Sequence, residues 1–279
     1  MAGARFRRRQ LIDPAEDSPV SAAVAQRSQD VIRMVTEAVR RRSVLLAYQP
    51  VVQASRQGGT AFHEALIRVT DESGVIIPAR DFVSAIETTE VGREIDCLAL
   101  NLGFEALAHD PKLRLSVNMS ARSIGYPNFT RTLHQGLRRC PTAGERLILE
   151  ISEQSAMLMP ELVTTFMARL QGEGISFALD DFGAGLTSFR HLRGFYFDMI
   201  KIDGGFIRGI ADNADNQVMT QAILAVARHL DMFAVAESVE NAREAAYLAG
   251  IGIDCMQGYY FGAPTVTPPW KLPATARTA

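Results

Sequence analysis

Short runs of aliphatic and β-branched residues recur along the chain, and most of them end at a polar or charged residue. Such runs are typical of strands that are buried on both faces of a parallel sheet. The pattern predicts strands over residues 113–117, 146–149, 175–179, 198–200 and 232–236. The chain is therefore expected to have an α/β fold.

Polar residues collect where these runs end. They are Glu64, Asn118, Glu150, Asp180, Asp181, Lys201, Glu237 and Gln257. In a closed (β/α)8 barrel the carboxyl ends of the strands meet on one face, and barrel enzymes place their active sites there. We therefore predict a TIM-like (β/α)8 barrel with a functional site at that face.

The front of the barrel departs from simple alternation of strands and helices. Between Gln49 and Glu64 the chain holds Gly58 and Gly59 and is too short for a crossover helix, so we predict a hairpin and an antiparallel first strand. Alternation along residues 60–69 then places Glu64 and Arg68 on one face of the second strand. Burial of either charge requires polar partners.

Three segments flank the predicted barrel. Residues 1–20 include a basic run and are expected to be a disordered lead-in. Apolar residues recur at helical spacing over residues 21–42, which predicts an amphipathic helix. The barrel domain is expected over residues 43–266, and residues 267–279, with several prolines, are expected to form an irregular tail.

Composition narrows the class of protein. A length of 279 residues with 47% apolar residues suits one barrel domain. The net charge of -2 argues against a surface that binds polyanions throughout, so an anionic ligand has to be held locally. Three separated cysteines fit a reducing compartment, and neither a membrane span nor a signal-peptide core is evident. We therefore expect a cytoplasmic protein.

The residue types at the strand ends predict bound cations. Five of them are carboxylates, and only Lys201 and Arg68 offset their charge. Oxygen ligands without a nearby histidine or cysteine favour Mg²⁺ or Mn²⁺ over zinc or copper. Adjacent aspartates can bridge two ions, and two ions beside a lysine are typical of phosphodiester hydrolysis.

Eight short motifs occur in a fixed order. They are Tyr48-Gln49-Pro50, Glu64-Ala65-Leu66 with Arg68, Ser116-Val117-Asn118, Leu149-Glu150-Ile151, Asp180-Asp181-Phe182-Gly183, Lys201-Ile202-Asp203, Ala236-Glu237 and Gln257-Gly258-Tyr259. This series, over about residues 44–264, resembles the bacterial EAL-domain phosphodiesterases. The resemblance implies a homodimer that uses two Mg²⁺ or Mn²⁺ ions to hydrolyse the second messenger cyclic di-GMP to linear pGpG.

The resemblance also implies a role for each matching residue. The implied metal ligands are Glu64, Asn118, Glu150, Asp180, Asp181 and Glu237. The implied catalytic residues are Lys201, Glu237, Gln257 and Glu64, with Lys201 orienting the attacking water. The implied substrate contacts are Gln49, Leu66 and Arg68.

Glu153 matches the family glutamate that anchors the loop after the aspartate pair, which here is Phe182 to Phe189. Several positions depart from the usual family residues. They are Gln154, Ala184, Leu186, Ser238 and Ala263. None of these removes an implied metal ligand, so they bear on the loop and the rate more than on the reaction.

Three functions remain open at this point. The first is an active cyclic di-GMP phosphodiesterase, which the filled metal and water positions favour. The second is a receptor or scaffold that binds cyclic di-GMP, turns it over slowly and signals through the N-terminal helix. The third is a different metal-dependent barrel enzyme, because a fold alone does not fix chemistry. If the chain is a fragment, a sensory domain is expected upstream.

Overall fold

The computed structural model describes residues 19–55, 59–185 and 192–271. In these ranges the strands are β1 (Val44–Gln53), β2 (Thr60–Thr70), β3 (Ile76–Pro78), β4 (Leu115–Asn118), β5 (Leu147–Ser152), β6 (Ser176–Phe182), β7 (Met199–Ile202), β8 (Phe233–Ala236) and β9 (Cys255–Gln257). The helices are α1 (Pro19–Arg40), α2 (Val83–Ile86), α3 (Glu90–His109), α4 (Pro127–Arg139), α5 (Glu153–Leu158), α6 (Pro160–Gln171), α7 (Gly204–Ile207), α8 (Ala214–His229) and α9 (Ala242–Ile251).

Eight strands close into a barrel in the order β1-β9-β8-β7-β6-β5-β4-β2, and β2 pairs back to β1. β1 runs antiparallel to both of its neighbours, whereas the other neighbouring pairs in the barrel are parallel. The prediction of a TIM-like barrel with an antiparallel first strand is confirmed. The sequence pattern did not predict β3, which pairs with β2 outside the barrel.

Alternation along the strands separates two cores. Outward side chains of the barrel strands pack with the helices in one large buried cluster that includes Val117, Leu149 and Ile200. Inward side chains form a second, small cluster inside the barrel. Its buried members are Val51, Phe62, Ile148, Ala178 and Val235. This cluster forms an apolar floor, so the inward positions nearer the strand ends lie above it.

The flanking segments contact the outer surface. Val35 and Ala38 near the end of α1 are buried against the barrel, whereas Val24 in its first half is exposed. Trp270 stacks edge to face on Tyr48 and His63, with ring centroids 5.2 and 4.4 Å away. Most of the predicted lead-in and tail lies outside the described residues. No helix in the described part of the chain has the length and apolar character needed to cross a bilayer.

Candidate active site

A layer of polar side chains lies directly above the apolar floor. Each of its members stands two residues from a floor residue on the same strand, so both point into the barrel. The pairs are Val51 with Gln49, Phe62 with Glu64, Ile148 with Glu150, Ala178 with Asp180, and Val235 with Glu237. Glu150, Asp180 and Glu237 thus lie near or just after the carboxyl ends of their strands, as the sequence pattern predicts, whereas Gln49 and Glu64 lie within the longer strands β1 and β2.

Lys201 lies at the centre of this layer and is 1% exposed. Its Nζ lies 3.2 Å from Glu64 Oε2 and 2.8 Å from Glu150 Oε2. It also lies 2.9 Å from Asp180 Oδ1 and 2.8 Å from Glu237 Oε1. An ammonium group has three protons and one charge, so it cannot neutralise four carboxylates. The four carboxyl groups therefore need protons or cations besides Lys201 to offset their charge.

Amide side chains hold the Glu64 carboxylate in place. Gln257 Nε2 donates to Glu64 Oε2 at 2.6 Å, and Asn118 Nδ2 donates to Glu64 Oε1 at 2.8 Å. Gln257 Nε2 also lies 3.1 Å from Gln49 Oε1, and Gln49 Nε2 donates to the carbonyl of Gly262 at 3.0 Å. Both oxygens of Glu64 are therefore oriented by donors from other strands.

Burial and nearby charges shift the pKa values of the acids in this layer in different directions. Burial would raise the pKa of Glu64, but Lys201 and the donating amides lower it below its usual value. Burial, followed by repulsion from Glu64, raises the pKa of Glu150 to about 8. Burial also raises the pKa of Glu237 well above its usual value. Burial opposes the charge on Lys201, yet its four carboxylate neighbours hold its pKa well above the usual value.

The aspartate pair ends β6 in an unusual backbone conformation. Asp181 has a φ of 54°, and its carbonyl accepts a bond from Ala184 in the following turn. The next residue but one, Gly183, has a φ of 93° and donates its N–H to Glu153 Oε2 at 3.0 Å. Glu153 thus contacts the start of the loop. The rest of that predicted loop, residues 186–189, lies outside the described residues.

The carboxylates form two groups that fit cations. Glu64, Glu150 and Asp180 form one group, and Asp180, Asp181 and Glu237 form the other. In each group the carboxylate oxygens lie within 4.8 Å of one another. Glu150 Oε1 is buried and has no hydrogen-bond partner among the residues that the structure describes. A buried carboxylate oxygen of this kind is costly unless a cation or donor satisfies it, so the donor set fits hard divalent ions.

A cleft of about 1190 Å³ opens above the polar layer. Its walls include all three predicted substrate contacts, Gln49, Leu66 and Arg68, beside five of the predicted metal ligands. Arg68 is half-buried, and its Nη1 donates to the carbonyl of Ile67 at 3.0 Å. The structure brings the predicted site residues of separate strands to one opening.

The cleft has further charged residues that the sequence analysis did not single out. They are Arg80, Glu87, Asp96, Arg208 and Glu240. Arg80, Glu87 and Arg208 lie in short turns or at helix ends, where no strand alternation indicates which way a side chain points. Asp96 lies within α3, and its Oδ2 accepts bonds from the Ser120 N–H and the Ser123 hydroxyl at 2.9 and 2.6 Å.

Comparison with known sequences identifies the same family as the motifs. A sequence model of the EAL domain matches residues 32–264. The chain is 30% identical over 234 residues to cyclic di-GMP phosphodiesterase PdeB of Shewanella oneidensis, and the alignment covers 82% of this chain and 27% of PdeB. It is 29% identical over 238 residues to cyclic di-GMP phosphodiesterase PdeF of Escherichia coli, and that alignment covers 84% of this chain and 32% of PdeF.

Comparison of folds gives the same result. The structure of a MucR phosphodiesterase in complex with c-di-GMP superimposes with a TM-score of 0.73 at 27% identity, covering 85% of this chain and 97% of the other. The chain spans only about a third of the length of the curated relatives it matches.

Proposed function

Because this chain belongs to the EAL domain family, we propose that it is a metal-dependent phosphodiesterase that hydrolyses cyclic di-GMP to linear pGpG. The observation that carries the proposal is the set of carboxylates around the buried ammonium group of Lys201, at the mouth of a barrel of this family. The curated relatives named for cyclic di-GMP hydrolysis support the substrate.

The reaction breaks one phosphodiester of the cyclic dinucleotide. A water oxygen forms a bond to phosphorus, and the bond from phosphorus to O3′ breaks. The products are a 5′-phosphate and a 3′-hydroxyl on one linear molecule. Two divalent cations, when bound, stabilise negative charge on the phosphoryl oxygens and lower the pKa of water. Glu64, Asn118, Glu150 and Asp180 would hold one ion, and Asp180, Asp181 and Glu237 the other.

The remaining residues orient water and substrate, offset charge and hold the loop after Asp181. Lys201, held by four carboxylates, orients water and offsets charge near the scissile phosphate. Gln257 holds Glu64 and faces the cleft, where it positions water. Arg68 offers a fork of donors to the substrate, and Leu66 offers an apolar surface. Glu153 holds the loop after Asp181 through the Gly183 N–H.

Chromatographic detection of pGpG tests the proposal directly. Purified protein is incubated with cyclic di-GMP and Mg²⁺ or Mn²⁺, beside Asp180→Asn and the control Asp215→Asn, whose aspartate is exposed on α8. We expect product from the parent and the control and none from Asp180→Asn. Tight binding without product from the parent would favour the receptor function, and hydrolysis of unrelated phosphodiesters at equal rates would favour a different barrel enzyme.

The homodimer and an upstream sensory domain belong to the same proposal. The relatives are much longer than this chain, which supports a regulated domain within a larger protein. Light scattering of the purified chain at several concentrations tests dimer formation, and a mass that stays monomeric would exclude a homodimer formed by these residues alone.

A further inference from the structure

One end of the cleft differs in chemistry from the ring of carboxylates. Its wall is apolar and includes Leu66, Pro78, Val83 and Ile86. Val83 is 45% exposed, although it is a large aliphatic residue. Two guanidinium groups, those of Arg68 and Arg80, also line the cleft, and the pairing of Pro78 with Arg68 places both beside this apolar wall.

The sheet register holds these two arginines near each other. β3 pairs with the end of β2 so that Pro78 lies opposite Arg68, and the turn Ala79–Asp81 follows directly. Burial, and after it the charge of Arg80, lowers the pKa of Arg68. These two like charges repel each other, and an acceptor-rich ligand between them would offset that repulsion.

Neither guanidinium is committed to a strong partner. Within the described ranges Arg68 forms no ion pair, and its one hydrogen bond goes to the carbonyl of Ile67. The Arg80 side chain is 75% exposed, and its Nε lies 3.8 Å from Asp81 Oδ1, beyond hydrogen-bond distance. The planar donors of Arg80 are therefore available to a ligand in the cleft.

The surroundings of Arg80 suit a neutral base better than a phosphate. The Asp81 carboxylate lies 3.8 Å from Arg80 Nε, and Glu87 also lines the cleft, so a phosphate beside Arg80 would be repelled by acidic neighbours. An uncharged purine avoids this repulsion and can lie against Pro78 and Val83. Guanine presents O6 and N7 as adjacent acceptors, which match the paired donors of an arginine.

We propose that Arg80 is a specificity-determining residue that donates to O6 and N7 of one guanine of cyclic di-GMP, with the base packed on Pro78 and Val83. This inference rests on the proposed function, because it assumes that the cleft binds cyclic di-GMP. It assigns to Arg80 a task separate from that of Arg68, which lies on β2 together with Glu64.

Calorimetric titration of two ligands tests the assignment. The ligands are cyclic di-GMP and its 7-deazaguanine analogue, in which a C–H replaces the N7 acceptor. The full chain with Asp180→Asn serves as parent, and Arg80→Ala is compared with Arg169→Ala, whose arginine is exposed on α6. We expect the parent and Arg169→Ala to bind the analogue about tenfold more weakly than cyclic di-GMP. Arg80→Ala is expected to bind both ligands equally, at about the weaker affinity.

The other outcomes separate this inference from the proposed function. An equal loss for both ligands in Arg80→Ala, with the analogue still bound more weakly, would identify a charge contact and overturn the assignment to guanine. Unchanged affinities in Arg80→Ala would also overturn it while leaving the proposed function intact. A parent that binds neither ligand, in a chain that produces no pGpG, would overturn both.

Discussion

Removal of the central ammonium group is the sharpest test of the electrostatic description of the site. Lys201→Met preserves the length and most of the volume of the side chain, so little cavity is created. It removes a positive charge that lies within 3.2 Å of four carboxylates. Breaking a buried ion pair by removing one partner costs about 3–5 kcal/mol, because the remaining charge stays buried.

The loss of stability in Lys201→Met is expected to come mainly from Glu64, which stays charged when Lys201 is removed. The pKa of Glu150 lies at about 8 with Lys201 present, so this carboxyl already holds a proton at pH 7 for most of the time. Glu64 differs, because its lowered pKa depends on Lys201 before the two amides. In Lys201→Met the charged form of Glu64 loses that partner, and we expect the metal-free protein to lose about 3–5 kcal/mol of unfolding free energy.

Urea unfolding at pH 7 in EDTA measures this loss. Lys112→Met, at an exposed position before β4, is the matched control and is expected to stay within about 0.5 kcal/mol of the parent. Addition of Mn²⁺ supplies the missing positive charge, so Lys201→Met should recover about 2.7 kcal/mol at a metal concentration 100 times Kd. Equal stability of Lys201→Met and the parent in EDTA would refute the ion-pair description.

Three further predictions follow from individual contacts. Because burial raises the pKa of Glu150 to about 8, this carboxyl takes up a proton on folding, and its contribution should lower metal-free stability by about 1.4 kcal/mol per pH unit between pH 5 and 8. Glu237, whose pKa burial also raises, should add to this fall, and a stability that rises with pH in urea unfolding would contradict the prediction. Glu153→Ala should lower the free energy of unfolding by about 1–3 kcal/mol and slow pGpG formation, because it removes the acceptor of the Gly183 N–H. Glu153→Gln keeps an acceptor oxygen and should retain most of the stability and of the rate. Equal stability and equal rate in the two variants would exclude the anchoring role of Glu153. Gly258→Ala should destabilise by about 1–3 kcal/mol in thermal unfolding, because its Cβ would overlap the backbone of Val239. Gly59→Ala, where a Cβ has open space, should leave the stability unchanged.

The amino-acid sequence determined the order and type of the elements that build the site. Apolar runs that end in Glu150, Asp180 and Glu237 predict parallel strands, and the short connection before Glu64 predicts the antiparallel first strand that the structure has. These features are local, because strand periodicity, loop length and residue type can be read directly from neighbouring positions of the sequence. The motif series also identified the EAL family, which the family match over residues 32–264 confirms.

Tertiary structure alone decided how the side chains meet. The sequence does not state that Lys201 contacts four carboxylates at once, since these come from four other strands whose stagger is set when the barrel closes. Nor does it place Arg80 on the same side of the cleft as Arg68, because that arrangement depends on the pairing of β3 with β2. The strands and the polar residues that they carry can be predicted from local sequence patterns. Distances, burial and perturbed pKa values arise only when distant segments are brought together.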